Sequence, residues 1–133
     1  RGANKWESPE GCLMFSFNWT VPTAALLPFF QYMVTLSMVK AVSLMDTKAG
    51  EALRIKWPND LYTADGVKVG GVLCQSSWSS SANEFVVTTG LGLNVSNAAP
   101  TTCLQSMTGE DDSQISRELV LASYFNVFEQ DML

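Results

Sequence analysis

At 133 residues the chain is long enough for one domain with a real core and too short for two comfortable ones. Its 47% hydrophobic content lies in the ordinary globular range and argues against disorder over most of its length. Eight basic and thirteen acidic residues leave a net charge of −5, which argues against a general binder of nucleic acid or of anionic membranes.

The elements can be predicted in chain order. Between Gly11 and Val39 there is no charged residue, but Asn18, Thr20, Pro22, Pro28 and Gln31 interrupt the stretch and its first part alternates. A single membrane-spanning helix is therefore a poor reading. Leu13 to Trp19 is predicted as a strand, Val21-Pro22-Thr23 as a turn, and Ala24 to about Met45 as a helix capped by Thr23, with Pro28 in its first turn. Leu53 to Trp57 is a short strand stopped by Pro58. Tyr62-Thr63 and Val67 to Ser77 form a hairpin around Ala64-Asp65-Gly66. Ser76 to Ala82, rich in serine, is predicted as a loop. Glu84 to Val95 is a strand, and the glycines within it, Gly90 and Gly92, mark a bulge or a close backbone approach. Ser96 to Asp112 is loop, and Ser113 caps a last helix to about Gln130. Strands joined by hairpins and packed on two helices make an α+β or mixed α/β layer domain.

Residues 1–75 hold seven basic and six acidic residues, and the remainder one and seven, so an anion site belongs in the first half. There is no histidine, which removes histidine-based zinc sites and Ser-His or Cys-His nucleophiles. Cys12, Cys74 and Cys103 are scattered and odd in number, and read as free thiols in packing roles.

Chemistry concentrates in Lys56 to Gly71, KWPNDLYTADGVKVGG. Taken singly, Asn59-Asp60 is a turn and Lys68 a solvated hairpin residue. Together they say more. Gly70-Gly71 sits in an apolar strand, where each glycine costs roughly 0.5–1 kcal/mol against alanine. That cost makes sense if a ligand lies on bare backbone. Strand alternation puts Lys68 on the face of Gly70, and a lysine there suits an anion or a carbonyl. Asn59 and Asp60 lie at the end of the preceding strand, and Asp60 is a candidate for the metal ion that accompanies phosphates. No GxxxxGK[ST] motif occurs, and Gly90-Leu91-Gly92 lacks the rest of a dinucleotide fingerprint.

The ordered set Lys56-Trp57-Pro58-Asn59-Asp60, Lys68-Val69-Gly70-Gly71 and Gly90-Leu91-Gly92-Leu93-Asn94-Val95 resembles the catalytic domain of the biotin–protein ligases (holocarboxylase synthetases). Arg1-Gly2-Ala3-Asn4-Lys5-Trp6 is similar to the end of that family's GRGRxxxxW segment, and Asn97 to Cys103, NAAPTTC, to its eukaryotic-type members. The resemblance implies the α/β fold of that domain, with a mixed sheet packed with helices as in class II aminoacyl-tRNA synthetases. It implies a two-step activity: biotin and ATP give biotinyl-5′-AMP, and the biotinyl group passes to a lysine of a carboxylase carrier domain, with Mg²⁺ required. Lys68 then matches the lysine at the biotin carboxyl and phosphate, and Arg1 the arginine that retains biotinyl-AMP. Trp6 matches the tryptophan beside adenine, and Asn94 the asparagine near the nucleotide. Asn59 and Asp60 match polar residues near nucleotide, metal and biotin, and Gly70 and Gly71 the strand under the ligand.

The family also places a strand and helix, a serine-threonine pair and the opening GRG before the position of Arg1, and commonly a small β-barrel domain after the catalytic one. Residues 1–133 are therefore expected to be a partial catalytic domain, weakly active or inactive alone. The implied partners are biotin, ATP and biotin carboxyl carrier domains, with no nucleic acid or membrane, and a homodimer of the whole protein is compatible with the family. The expected compartment is cytoplasmic, with an organelle as the other setting. Two other readings stay open: a lipoate ligase or octanoyltransferase of the same fold, and a non-catalytic remnant that only binds.

Overall fold

The computed structural model of the chain describes residues 7–97, 100–108 and 115–133. Five strands form one sheet: β1 Cys12–Val21, β2 Leu53–Lys56, β3 Asp60–Thr63, β4 Lys68–Ser79 and β5 Glu84–Asn94. Their order across the sheet is β1-β5-β4-β3-β2, and each neighbouring pair is antiparallel. The helices are α1 Leu27–Met45, α2 Thr47–Ala52 and α3 Arg117–Met132. α1 leaves β1 at one edge of the sheet and, through α2, delivers the chain to β2 at the other, so it crosses one face.

Alternation along β1 decides which face is covered. Leu13, Phe15, Phe17, Trp19 and Val21 are buried or half-buried, while Met14, Ser16, Asn18 and Thr20 are exposed. The inward aromatics meet α3. Phe128 lies edge-on to Phe17 at 5.1 Å, to Trp19 at 5.3 Å and to Phe30 of α1 at 6.1 Å between ring centroids. α1 supplies Phe30, Val34, Met38, Ala41 and Val42, a stripe at helical spacing. Ala24–Met45 is long and apolar enough, by length and composition alone, to cross a membrane. In this fold its stripe is buried in the core.

Several predicted elements are shifted. Thr23 makes no side-chain cap bond; it precedes a 3-10 turn over Ala24–Leu26, and α1 starts at Leu27. Asp46 caps α2, a helix without a counterpart in the predicted elements, by accepting from the Ala49 N–H at 2.9 Å. The serine-rich stretch is loop only in its second half: β4 runs through Ser79, with Trp78 opposite Phe85, and residues 80–83 make the turn into β5. Cross-strand partners there outweigh local composition. Ser113 lies outside the described residues, and α3 is capped by Ser116, whose hydroxyl accepts from the Leu119 N–H at 3.2 Å. The Asp65-Gly66 turn is where it was expected, with Gly66 at φ +91°. The Trp57–Pro58 peptide is cis.

Candidate functional site

Among the described residues the helices pack on one face of the sheet, and strand register sets what lies on the other. Met14 pairs with Gly92, Gly92 with Gly71, Gly71 with Asp60 and Asp60 with Lys56, so these residues form one row across all five strands. The next row holds Ser16, Gly90 and Leu73. Gly71, Gly90 and Gly92 therefore put bare backbone on this face as the floor of a trough, Gly90 half-buried and Gly71 and Gly92 buried. Its sides carry two exposed apolar chains, Met14 at 39% and Leu73 at 48% exposure. A Cβ placed on Gly90 would meet nothing closer than the Leu73 carbonyl oxygen at 3.9 Å, so there is room above it.

Gly70 does not share this face. It pairs with Leu61 and Leu93, both buried under the helices. Its missing side chain admits the Gly92 carbonyl oxygen, 2.5 Å from where a Cβ would stand. The register also shifts between Leu61 and Tyr62, opposite Val69, so simple alternation does not carry from Gly70 back to Lys68.

The Lys68 ammonium reaches Asp60 Oδ1 at 3.4 Å, and both side chains are partly exposed. Asp60 belongs to the row of Gly71 and Gly92, so the charge of Lys68 stands at the trough's edge. Asn59 is buried, and its carbonyl accepts from the Val72 N–H at 2.8 Å, which ties the turn before β3 to β4. Asn94 ends β5. Its Nδ2 donates to Thr101 Oγ1 at 3.2 Å and its Oδ1 accepts from Asn97 Nδ2 at 2.9 Å. Thr101 Oγ1 in turn donates to the Lys68 carbonyl at 3.0 Å. The fold thus brings Asn59, Asp60, Lys68, Gly71 and Asn94 to one end of the sheet. Arg1 and Trp6 lie outside the described residues.

Among the described residues no group of three or more His, Cys, Asp or Glu side chains is placed to hold a metal. Burial pushes the Cys12 and Cys74 thiols up, so neither is a ready thiolate nucleophile. A cleft of about 300 Å³ opens on the helix side, between the start of α1 and β4, lined by residues such as Leu27, Gln31, Trp57 and Cys74. It contains none of the sequence-derived site residues.

Met14, Leu73 and Thr101 belong to this arrangement without having been singled out by sequence. For Met14 and Leu73 the signal is present, since each stands two-fold out of phase with buried neighbours on an alternating strand. Thr101 carries no such signal, because its bonds reach 33 residues back to Lys68.

Known proteins resemble this chain in sequence and in fold. A model of the biotin/lipoate A/B protein ligase family matches residues 1–94. The chain is 42% identical over 136 residues to biotin–protein ligase 1, chloroplastic, of Arabidopsis thaliana, covering 98% of this chain and 36% of that protein. It is 36% identical over 123 residues to the biotin–protein ligase of Homo sapiens, covering 90% of this chain and 17% of that protein. Among solved structures, the apo biotin protein ligase from Aquifex aeolicus superposes with a TM-score of 0.67 at 25% identity, covering 92% of this chain and 53% of the other. The chain thus spans well under half the length of these curated relatives.

Proposed function

The chain belongs to the biotin/lipoate A/B protein ligase family, and on that footing we propose that the protein carrying it activates biotin with ATP and passes the biotinyl group to a lysine of a biotin carboxyl carrier domain. In the first step a biotin carboxylate oxygen attacks the α-phosphorus of ATP. The bond to the β-phosphate bridging oxygen breaks, giving biotinyl-5′-AMP and pyrophosphate. In the second, a lysine amine of the carrier attacks the acyl carbon, AMP leaves, and the amine gives up a proton. Neither step needs a protein nucleophile. The first needs two anions brought into line and their repulsion offset.

The observation that carries the reading is the Lys68 ammonium at the edge of a trough of bare backbone. A compact, exposed cation there can touch both the carboxylate and the α-phosphate. Its distance of 3.4 Å from Asp60 is that of a loose pair, which a more highly charged ligand can displace. Gly71, Gly90 and Gly92 let a fused ring system lie against the sheet, with Met14 and Leu73 covering its sides. Asn94 offers hydrogen bonds to the nucleotide. Asn59 holds the turn that presents Asp60. Gly70 acts behind the trough, by letting β5 close on β4. By resemblance alone, Arg1 retains biotinyl-AMP and Trp6 stacks on adenine.

Mg²⁺ fits as an ion that arrives with the nucleotide. It is commonly held by one or two carboxylates plus substrate phosphates, and Asp60 is the carboxylate at the trough. Bound there, it offsets phosphate charge. The compartment proposed is the cytoplasm or an organelle; one relative is chloroplastic by name.

The test is exchange of labelled pyrophosphate into ATP by the full-length protein, with biotin and lipoate in parallel. Exchange that depends on biotin is the expected result. Exchange with lipoate alone would change the substrate, and exchange with neither would overturn the activity.

A further inference from the structure

The β4–β5 ladder ends at the Gly70–Leu93 pair, two residues short of Lys68. Strand pairing with β5 therefore does not hold the backbone of Lys68 on that side. The Thr101 hydroxyl takes over, donating its proton to the Lys68 carbonyl at 3.0 Å. A hydroxyl has one proton to give. With that proton committed to a carbonyl, which can only accept, Thr101 Oγ1 can meet Asn94 only as an acceptor. Asn94 must turn its Nδ2 toward Thr101, at 3.2 Å. Its Oδ1 then faces the Asn97 Nδ2 donor, at 2.9 Å. The carboxamide is oriented from both ends. Among the described residues, one N–H of Nδ2 is left over.

We propose that Thr101 is a positioning residue: its hydroxyl fixes the main chain of Lys68 and the amide orientation of Asn94 together, so that the spare Asn94 N–H meets an acceptor on the nucleotide. The inference rests on the adenylation reading above and assigns a task within the same site. Thr101 itself is exposed, seven residues from Asn94 and 33 from Lys68. Serine can make both bonds, and valine, of the same shape, can make neither.

The test compares Thr101→Val, Thr101→Ser, Asn94→Ala and the Thr101→Val/Asn94→Ala double variant in the full-length protein, by steady-state pyrophosphate exchange and thermal melting. Thr101→Val is expected to raise the KM for ATP about five- to tenfold, the size of one or two neutral hydrogen bonds, with little change in melting temperature. Thr101→Ser is expected to behave as wild type. The double variant is expected to be no worse in ATP KM than Asn94→Ala, since the two residues act as one unit. An unchanged ATP KM in Thr101→Val would overturn the proposal, as would a loss in Thr101→Ser equal to that in valine, or full additivity with Asn94→Ala. A lower melting temperature with ATP KM unmoved would assign Thr101 to the fold alone and also overturn it. No biotin-dependent exchange in the wild type would overturn the adenylation reading and this role with it.

Discussion

The Gly92 carbonyl oxygen fills the space that a side chain on Gly70 would need, 2.5 Å from the position of its Cβ. A backbone oxygen in a paired strand cannot swing aside as a flexible side chain can. Gly90, two residues before Gly92, is the opposite case, with nothing nearer than 3.9 Å to an added Cβ. The glycines of one sheet thus differ: Gly70 lets strands close, and Gly90 leaves space on the face proposed for the ligand. Gly70→Ala is expected to lower unfolding free energy by about 1–3 kcal/mol, the usual cost of overpacking. Gly90→Val is expected to change it by less than about 0.5 kcal/mol while weakening biotin binding strongly. Urea midpoints and calorimetric titration of the full-length variants check both. Wild-type biotin affinity in Gly90→Val would remove Gly90 from the floor of the site.

Lys68 is expected to matter to chemistry and little to folding. Its side chain is half exposed and its pairing with Asp60 is a surface one. Lys68→Ala should cut biotin-dependent pyrophosphate exchange by about 10²–10³-fold, as expected for loss of a charge that stabilises the transition state. Its melting curve should stay close to that of wild type. Lys68→Arg should recover little, because a broad planar fork does not replace a compact ammonium between two closely spaced anions. Exchange at the wild-type rate in Lys68→Ala would remove this mechanism.

Much of this arrangement could be read from the sequence, for reasons that local physics explains. β1 alternates because one of its faces is buried, and Asp65-Gly66 is a turn signal that needs no tertiary help. The clustering of Asn59, Asp60, Lys68, Gly71 and Asn94 followed from motif order. The choice of face on β4 did not, because Val69 and Val72 are both buried and bracket the two glycines with no phase of their own. The register shift opposite Val69 then breaks the count back to Lys68. The end of β4 was hidden for another reason. Serine at 76, 77 and 79 looks like loop, yet the strand persists because Trp78 packs edge-on against Phe85 at 4.9 Å. α2 was too short to show a period, and its one local mark was Asp46.

The core carries its own test. Phe128 is 2% exposed and stands between both long helices and β1, against Phe17, Trp19, Phe30 and Tyr124. Phe128→Ala is expected to cost about 3–5 kcal/mol, the sum of lost transfer energy and an unfilled cavity. Phe128→Leu should cost clearly less, since it refills much of that volume. Denaturant unfolding measures both. Equal losses in the two would mean that edge-to-face ring geometry matters more here than volume.

α1 and α3 are also joined at the surface. Asp131 accepts from Ser37 Oγ at 3.0 Å and from Lys40 Nζ at 2.5 Å. The Lys40 hydrogen bond, helped by that from Ser37, holds the Asp131 carboxyl below its usual range. A carboxylate depressed in the folded state binds its proton less tightly there than in the unfolded chain. Its contribution is therefore fully present above the unfolded carboxyl value, about 3.9, and is lost as pH falls through the lower folded value. Asp131→Asn should thus be less stable than wild type at neutral pH, and the gap should close in strong acid. Urea midpoints of both proteins, measured from pH 7 downward, check this. A gap that stays constant through the acid range would show that Asp131 stabilises the helix pair through shape and neutral hydrogen bonding, not through its charge.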